Sequence, residues 1–301
     1  MTRDKGNDLP DWLENVVAEE EKARRQAVQA AERRAAAENR AEIMPIAERF
    51  VSVNGEGPRS GRLAAFIRFA GCNLRCAWCD TAWAQGSDSV SEWRTTEELV
   101  RWVREAGVEC VTLTGGEPLL QPGAAGLVEA LVRAGAAAAD EGGATSYASL
   151  VERASAAAEE APAAGPLFVE IETNGSQPIR PLVALRDRLA EEGLPGRFGF
   201  TLDCKLPASG EARAMNEDNY ALLGADDVVK FVIAEEDDLD AMLAVVEAHG
   251  LGGRCGVYLS PIMGAVDPAV VVDFMREHAM AYATLQLQLH KIIWPDETRG
   301  V

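Results

Sequence analysis

Three cysteines, Cys72, Cys76 and Cys79, lie within eight residues of the stretch GCNLRCAWCDTAW, which spans residues 71–83. Thiolates at such short spacing bind zinc or iron–sulfur clusters. A structural zinc site needs a fourth ligand, and although Asp80 is adjacent, the histidines of the chain are all distant in sequence. A four-iron cluster held by three thiolates instead leaves one iron free to bind a small molecule. The spacing therefore favours a [4Fe–4S] cluster with one open iron, and a zinc site is the alternative.

Two further stretches carry polar groups where predicted strands end. In TLTGGEPLLQP (112–122), Gly115 and Gly116 let backbone groups approach a ligand closely, because glycine has no side chain. Glu117 adds a carboxylate that suits a cationic amine. The stretch VEIETNGS (169–176) is a third polar strand end. Alone, a Gly-Gly-Glu sequence usually marks a turn, so its meaning depends on its position after the cysteine loop.

Seven short apolar runs predict the strands that position these residues. They are residues 63–71, 110–116, 167–175, 198–205, 227–233, 256–261 and 285–291. Two helix-like stretches between them, 95–107 and 237–250, begin with threonines or acids and end at glycine. Strands that alternate with helices form parallel sheets with right-handed crossovers. The pattern predicts an α/β fold, an incomplete TIM-like barrel of six or seven mostly parallel strands with helices outside and ligands at the C-terminal strand ends.

Two segments do not follow this alternation. Residues 1–44 consist largely of Ala, Glu, Arg and Gln, which favour helix, and they have almost no apolar face. A solvated helix or a disordered arm is predicted there, and a helix that docks on a partner is the alternative. An Ala-rich stretch at about 134–166 is predicted as a surface insertion, because a connection of that length needs an explanation. The folded domain is therefore predicted to span residues 45–301.

Composition argues against several classes of protein. The chain has 301 residues, of which 48% are hydrophobic, so it can bury a sizeable core. Its net charge of −19 argues against a nucleic-acid partner, because phosphate binding requires clustered Lys and Arg. No apolar run reaches the roughly 20 residues of a membrane span, and the charged N-terminus does not resemble a signal peptide. We expect a cytoplasmic protein without a membrane partner.

The remaining cysteines are predicted as core residues. Cys110, Cys204 and Cys255 are far apart in sequence and lie in or beside apolar segments. A disulfide framework is not expected in a reducing cytosol. A lone histidine is more often structural than a ligand, and His290 has the strongest claim to a functional role because it ends the last predicted strand.

The C-x3-C-x2-C spacing, with Trp78 before the last cysteine, resembles the radical S-adenosylmethionine (SAM) superfamily. In that superfamily the open iron chelates the amino and carboxylate groups of SAM, and one electron cleaves SAM to methionine and a 5′-deoxyadenosyl radical. The resemblance implies that Trp78 packs near the adenine and that the Gly-Gly-Glu stretch is the methionine-binding motif. It also implies a partial barrel of the radical SAM type.

Within the superfamily, residues 50–84 resemble the 7-carboxy-7-deazaguanine synthase (QueE) family. The family pattern is an apolar residue followed by Gln-Gly-Glu-Gly, an Arg on the first strand, and a cysteine loop that ends in Cys-Asp-Thr. This chain has VNGEG at 53–57, then Arg68, then Asp80 and Thr81 after the last cysteine. The closing stretch LQLQLHKIIWP (285–295) also matches. The resemblance spans about Pro45 to the C-terminus, interrupted by the Ala-rich stretch.

The family activity implies what the site must hold. The substrate is 6-carboxy-5,6,7,8-tetrahydropterin, whose ring contracts with loss of ammonia to give 7-carboxy-7-deazaguanine, a step in 7-deazapurine (queuosine-type) biosynthesis. SAM is regenerated and acts as a cofactor, and the radical derived from it carries the chemistry, so no acid or base is assigned. Arg68 matches the position that binds the substrate carboxylate, for which a guanidinium fork is suited. Glu56 would accept pterin N–H groups, and Thr81 would contribute a hydroxyl to Mg2+.

The resemblance also assigns the other ligand contacts. For SAM they are Trp78, Gly115, Gly116, Glu117, Asp203, Cys204, Lys205, Ser260, Pro261, Ile262 and Met263. For the substrate they are Val53, Asn54, Gly55, Glu56, Arg68, Thr114 and Pro295. The chain departs from the family at Asn54, where Gln is usual, and at LDCK (202–205), which replaces a more usual Ser-Pro-Lys. Trp294 precedes the late proline at a variable position.

The family also implies partners, namely a homodimer and an electron donor such as flavodoxin. One alternative within the superfamily is an activating enzyme that generates a glycyl radical on a partner protein, with the acidic N-terminal arm as its docking face. The Gly-Glu-Gly sequence before Arg68 and the closing LHKIIWP sequence favour the small-molecule enzyme. A non-enzymatic iron–sulfur or zinc scaffold is a further alternative.

Overall fold

A computed structural model describes residues 43–141, 167–194 and 197–301, so the predictions for residues 1–42 and 142–166 lie outside the described residues. Nine strands in these described ranges form one sheet. They are β1 (Ile43–Val53), β2 (Leu63–Phe69), β3 (Glu92–Thr95), β4 (Cys110–Gly115), β5 (Phe168–Thr173), β6 (Phe198–Cys204), β7 (Val228–Ile233), β8 (Gly256–Pro261) and β9 (Ala283–Leu285). Their order in the sheet is β3-β1-β2-β4-β5-β6-β7-β8-β9.

Seven of these strands, β2 and β4 to β9, pair with one another in parallel. This confirms the predicted α/β fold with a mostly parallel sheet. Among the residues that the structure describes, six helices connect or follow the strands. They are α1 (Thr96–Ala106), α2 (Ala124–Glu141), α3 (Arg180–Glu191), α4 (Asp237–His249), α5 (Pro268–Glu277) and α6 (Leu289–Ile293). β1 is antiparallel to both β2 and β3, and neither β1 nor β3 was among the predicted strands.

Local signals explain how the helices begin and end. The hydroxyl of Thr95 accepts a hydrogen bond from the backbone N–H of Glu98, and the Glu98 side chain accepts one from the Thr95 N–H, which is a capping box. α1 and α4 each end at a glycine in the left-handed region, Gly107 with φ 65° and Gly250 with φ 57°. α2 continues to Glu141, so the first part of the predicted Ala-rich insertion belongs to this helix.

The prediction of a strand at residues 285–291 was wrong. β9 ends at Leu285, and α6 begins at Leu289. The physical reason is a set of hydrogen bonds that replaces strand pairing. The Gln286 side chain accepts a hydrogen bond from the Gly57 N–H at 2.8 Å and donates one to the Gly57 carbonyl at 2.9 Å. The Leu289 N–H donates to the carbonyl of Gly55 at 3.0 Å, so the chain follows the loop after β1 instead of extending the sheet.

The core lies between the sheet and the surrounding helices. Cys204 and Cys255 are buried there, and Cys110 is buried in a separate small cluster with Ala64 and Phe66, so all three are buried as predicted. β1 includes Ile43 and Met44, and Met44 is only 1% exposed, so the strand contains two residues that precede the predicted domain boundary at 45. Within the described parts of the chain, no helix is long and apolar enough to cross a membrane.

Candidate functional site

The C-terminal ends of the parallel strands surround a cavity of about 260 Å³. Arg68 comes from β2, Thr114 from β4, Thr173 from β5 and Asp203 from β6, and each lies in the last part of its strand. This is the edge at which barrels of alternating strands and helices bind their ligands. The sequence-based expectation for the position of the site is therefore met by the geometry.

The cysteine loop follows β2 and forms one wall of the cavity. Cys72, Cys76 and Cys79 all line it and are partly exposed. Gly71 turns the chain with φ 95°, and its carbonyl accepts a hydrogen bond from the Glu117 N–H at 2.9 Å. Gly116, the residue before Glu117, packs against the same carbonyl, and a side chain on Gly116 would overlap it. The close backbone approach predicted for the glycine pair is thus an approach to the cysteine loop itself.

The three thiols fit a cluster better than a single ion. Among the described residues, no three His, Cys, Asp or Glu side chains are gathered closely enough to bind one metal ion. The thiols nevertheless share one cavity and influence one another. Burial is the main cause that raises the pKa of the Cys76 thiol, Lys205 partly offsets it, and the thiols of Cys79 and Cys72 raise it further. Three soft sulfur donors around an open cavity suit an iron–sulfur cluster, whereas a zinc site would need its ligands around one point.

Glu117 does not reach the cavity. It is fully buried, and its carboxylate accepts hydrogen bonds from the Leu119 N–H at 2.9 Å, the Asn174 N–H at 2.6 Å and the Thr173 hydroxyl at 2.8 Å. Burial raises the pKa of this carboxyl, and the hydrogen bonds partly oppose that effect. Glu117 therefore joins the ends of β4 and β5, and the geometry does not support its predicted contact with the SAM amine.

A buried network of two acids and two lysines lies on the cavity floor. Lys230 Nζ lies 3.2 Å from Glu56 Oε2 and 3.1 Å from Asp203 Oδ1, and Lys205 Nζ lies 2.8 Å from Asp203 Oδ2. The Ser260 hydroxyl donates to Glu56 Oε1 at 2.8 Å. Each of these two carboxylates thus has a lysine partner, and an unpaired buried charge would be strongly destabilising. Lys230 was not predicted, because it lies inside the apolar run of β7.

Lys205 connects this network to the cysteine loop. Its Nζ lies 5.0 Å from the centroid of the Trp78 ring, within the range of a cation–π contact. Its charge is also close enough to lower the pKa of the Cys76 thiol against the effect of burial. Trp78 and Lys205, both predicted as SAM contacts, therefore lie side by side in the cavity.

Two glutamates of β5 point into the barrel interior at different depths. Glu172 lines the cavity, and burial raises the pKa of its carboxyl, whereas Lys230 and a hydrogen bond from Thr114 lower it. Glu170 lies deeper, is 1% exposed, and accepts a hydrogen bond from the Thr201 hydroxyl at 2.6 Å. Burial, followed by the charge of Glu172, raises the pKa of Glu170 to about 8. Neither residue was predicted individually, although the polar strand end 169–176 was.

A second cluster of polar side chains joins the cysteine loop to the C-terminal helix. The Thr81 hydroxyl donates to Asp80 Oδ1 at 2.9 Å, while Lys291 Nζ and His290 Nε2 lie 3.5 and 3.9 Å from Asp80 Oδ2. All four residues line the cavity. His290 reaches the cavity from α6 and not from a strand end, and it packs directly over Gly55, where a side chain would overlap its ring.

The structure brings most, but not all, of the predicted contacts to the cavity. The predicted residues that line it are Cys72, Cys76, Cys79, Trp78, Thr81, Gly115, Gly116, Asp203, Lys205, Ile262, Val53, Gly55, Glu56, Arg68 and Thr114. The predicted residues that do not are Asn54, Glu117, Cys204, Ser260, Pro261, Met263 and Pro295. The residues that line it and were not assigned include Glu172, Asn174, Lys230, Val232, Gln288, Lys291, Glu297, Thr298 and Val301.

Three of the displaced predictions have a clear physical reason. The side chain of Asn54 lies behind the cavity wall, where its Oδ1 accepts a hydrogen bond from the Thr112 hydroxyl at 2.8 Å. Cys204 is buried in the core, where its sulfur accepts a hydrogen bond from the Tyr220 hydroxyl at 3.1 Å. Pro295 follows α6 outside the cavity, and the residues after it turn back to line the cavity instead.

Three comparisons with known proteins bear on this site. Residues 66–204 match the model of the radical SAM superfamily. A 7-carboxy-7-deazaguanine synthase of Clostridium acetobutylicum is 40% identical over 85% of this chain and 98% of its own length. One from Chlorobaculum tepidum is 30% identical over 85% of this chain and 96% of its own length. The crystal structure of QueE from Escherichia coli aligns with a TM-score of 0.52 at 19% identity over 82% of this chain and 94% of that one, a likeness of fold.

Proposed function

Because the chain belongs to the 7-carboxy-7-deazaguanine synthase family of radical SAM enzymes, we propose that it converts 6-carboxy-5,6,7,8-tetrahydropterin to 7-carboxy-7-deazaguanine with loss of ammonia. The observation that carries this proposal is one cavity that holds both the three thiols and a set of charged side chains suited to a small polar carboxylate. The relatives do not favour a glycyl-radical activating enzyme or a non-enzymatic scaffold.

The thiols of Cys72, Cys76 and Cys79 would hold a [4Fe–4S] cluster, and Trp78 and Lys205 beside them would contact SAM. When bound, the cluster and SAM supply the one-electron cleavage that yields the hydrogen-abstracting radical. The protein must then orient the substrate and exclude water from the radical. Glu297, Thr298 and Val301 also line the cavity and would enclose part of the bound ligands.

The charged side chains divide into groups that suit the two ends of the substrate. Arg68 has the fork geometry that binds a carboxylate in a bidentate manner. Glu56 and Glu172 line the same cavity and offer acceptors to the N–H donors of a pterin edge. Lys230 lies 3.2 Å from Glu56. Burial raises the pKa of the Glu172 carboxyl, and the charge of Lys230 opposes that rise.

A magnesium ion is part of this proposal. Mg2+ is bound in proteins by one or two oxygen ligands together with substrate oxygens and water. The Thr81 hydroxyl and the Asp80 carboxylate, 2.9 Å apart at the cavity wall, are oxygen donors of this kind.

The proposal extends to partners. Reduction of the cluster requires an external one-electron donor such as flavodoxin, and Asn73, Arg75 and Ala77 of the cysteine loop are exposed to such a protein. We also propose a homodimer, because Leu287, Ile292 and Ile293 expose large apolar side chains near the C-terminal helix. A cytoplasmic location would provide the reducing conditions that the free thiols and the cluster need.

The test is an anaerobic assay of the reconstituted protein with SAM, a reductant and 6-carboxy-5,6,7,8-tetrahydropterin, followed by mass spectrometry. We expect 7-carboxy-7-deazaguanine to accumulate over many turnovers per SAM, since SAM is regenerated. Cleavage of SAM without this product, or product only in proportion to SAM consumed, would contradict the proposal. Omission of Mg2+ tests the metal separately.

A further inference from the structure

An irregularity in β1 places one glutamate opposite the proposed carboxylate-binding arginine. Ile46 of β1 pairs with Phe69 of β2, but the register shifts within the next two residues, so that Glu48 and not Ala47 lies opposite Arg68. A shift of one residue moves side chains to the other face of a strand, and bulges of this kind re-aim side chains near functional sites. Because of this shift, the Glu48 carboxylate and the Arg68 guanidinium lie on the same face.

The contact between the two side chains is specific. Arg68 Nε donates to Glu48 Oε1 at 2.8 Å, and the two side chains are 13% and 16% exposed. In the described part of the chain, Glu48 is the one group that accepts a hydrogen bond from Arg68. A guanidinium presents one edge through Nε and another through its two terminal nitrogens. With Nε engaged by Glu48, the terminal edge remains available in the cavity that Arg68 lines.

The Glu48 carboxylate is itself fixed from a second direction. Its Oε2 accepts a hydrogen bond from the Gly300 N–H at 3.3 Å. Thr298 and Val301, on either side of Gly300, line the cavity, and the Arg299 guanidinium lies 4.1 Å from the centroid of the Trp83 ring. On the other side, Phe50 packs near the Arg68 guanidinium, with a ring centroid 5.9 Å away. Glu48 therefore links Arg68 to the C-terminal residues that also line the cavity.

We propose that Glu48 is a positioning residue for the substrate carboxylate: it holds the Arg68 guanidinium by Nε so that the two terminal nitrogens face the bound carboxylate. This rests on the proposed function, because it assumes a carboxylated substrate in the cavity. Without Glu48, Arg68 keeps its charge but loses its fixed orientation, and bidentate pairing depends on orientation as well as on charge. The role is distinct from catalysis, since Glu48 touches the arginine and not the substrate.

The chain offers a matched control. Arg49, the next residue along β1, donates from its Nε to Glu92 Oε1 at 2.6 Å, which is the same kind of contact between neighbouring strands. Neither Arg49 nor Glu92 lines the cavity. Glu92→Gln therefore weakens this arginine–carboxylate contact, together with the hydrogen bonds that Glu92 accepts from Arg94, away from the cavity. It reports the effect of such a loss on general stability.

The experiment measures affinity by anaerobic calorimetry on protein loaded with cluster and SAM. The two ligands are 6-carboxy-5,6,7,8-tetrahydropterin and the same tetrahydropterin without the carboxylate. For Glu48→Gln we expect affinity for the carboxylated ligand to fall about tenfold or more, which is the scale of a charge-assisted hydrogen bond. Affinity for the ligand without the carboxylate should change less than about twofold. Glu92→Gln should bind both as the wild type does.

The outcomes separate the two proposals. A Glu48→Gln variant that binds both ligands as the wild type does, or that loses equal affinity for both, would overturn the positioning role and leave the proposed function intact. A wild-type protein that binds neither pterin would overturn the proposed function and this role with it. If Glu48→Gln does not fold, Glu48→Asp keeps the charge on a shorter side chain, and it should show the same selective loss for the carboxylated ligand.

Discussion

The backbone of Gly116 packs against the carbonyl of Gly71 so closely that a methyl group on Gly116 would overlap that oxygen. The neighbouring N–H of Glu117 donates to the same carbonyl at 2.9 Å, so the end of β4 supports the start of the cysteine loop. Gly116 thus allows the end of β4 to pack against the cysteine loop and hold its position.

Gly116→Ala is therefore expected to displace the cysteine loop and to lower the cluster content after anaerobic reconstitution. The backbone on both sides is held by hydrogen bonds, so the added methyl group cannot be accommodated by a side-chain movement. Iron content and visible absorbance per chain measure the effect. Gly126→Ala is the control, because a methyl group there meets open space on α2 and alanine favours helix. Equal cluster content in both variants would contradict the prediction.

Cys76→Ala should prevent assembly of a complete [4Fe–4S] cluster and abolish SAM cleavage. Cys76 is one of three thiols in the cavity, and the described residues provide no further cysteine there. Iron and sulfide analysis together with SAM cleavage measures the loss. The control is Cys255→Ala, which removes a buried thiol far from the cavity and should keep the cluster. A full cluster and normal cleavage in Cys76→Ala would show that the ligand assignment is wrong.

Arg68→Lys should impair turnover of the carboxylated substrate while SAM still binds and is cleaved slowly. Lysine keeps the charge but loses the planar fork. A charge-assisted pair of this kind is typically worth about 1.5–3 kcal/mol, and a misplaced reacting carbon can cost roughly 100-fold in rate. Steady-state kinetics with the pterin measures the effect, and Arg49→Lys on the same strand is the control outside the cavity. Wild-type rate and affinity in Arg68→Lys would mean that the carboxylate binds elsewhere.

Lys230→Met should destabilise the protein by about 3–5 kcal/mol, the usual effect of removing one partner of a buried charge pair. Lys230 is 6% exposed, and its loss leaves Glu56 and part of Asp203 without their cation. Denaturant unfolding measures the change. Arg101→Met removes a cation from an exposed pair with Glu97, and the expected loss there is below about 1 kcal/mol. A similar loss in both variants would argue against a buried charge network.

Glu170→Gln should remove a pH dependence of stability that the wild type shows below about pH 8. Burial, and then the charge of Glu172, raises the pKa of Glu170 to about 8 from an ordinary value of 4.5. Between these two values the folded state binds the extra proton, so its stability falls as pH rises, by up to about 1.4 kcal/mol per pH unit. Above pH 8 this contribution no longer changes.

Unfolding free energies of the two proteins at several pH values between 5 and 9 measure this difference. Charged groups near Glu170 on other elements, namely Lys230 and Arg59, remain in both proteins, so the difference isolates Glu170. A constant difference between wild type and Glu170→Gln across this range would contradict the prediction.

Much of the fold could be predicted from the sequence because its determinants are local. A buried parallel strand is a short apolar run, and six of the seven predicted runs are strands within two residues of their predicted ends. Helix ends are also local, as the capping box at Thr95 and the glycines at 107 and 250 show. The spacing of Cys72, Cys76 and Cys79 likewise lies within one loop, so it indicated the cluster without knowledge of the fold.

The tertiary structure decided which polar groups meet. Glu117 lies in a motif that predicts a ligand contact, yet its carboxylate accepts hydrogen bonds from the N–H groups of Leu119 and Asn174, which follow β4 and β5. Lys230 is a charged residue within an apolar strand, and its sequence neighbours do not explain it. Its partners are Glu56, which follows β1, and Asp203 of β6. The interaction between Glu48 and Arg68 depends on a register shift that no local pattern marks. Periodicity along a chain reports whether a side chain is buried, but the partner of a buried charge comes from residues far away in sequence, and only the packed sheet brings them within hydrogen-bonding distance.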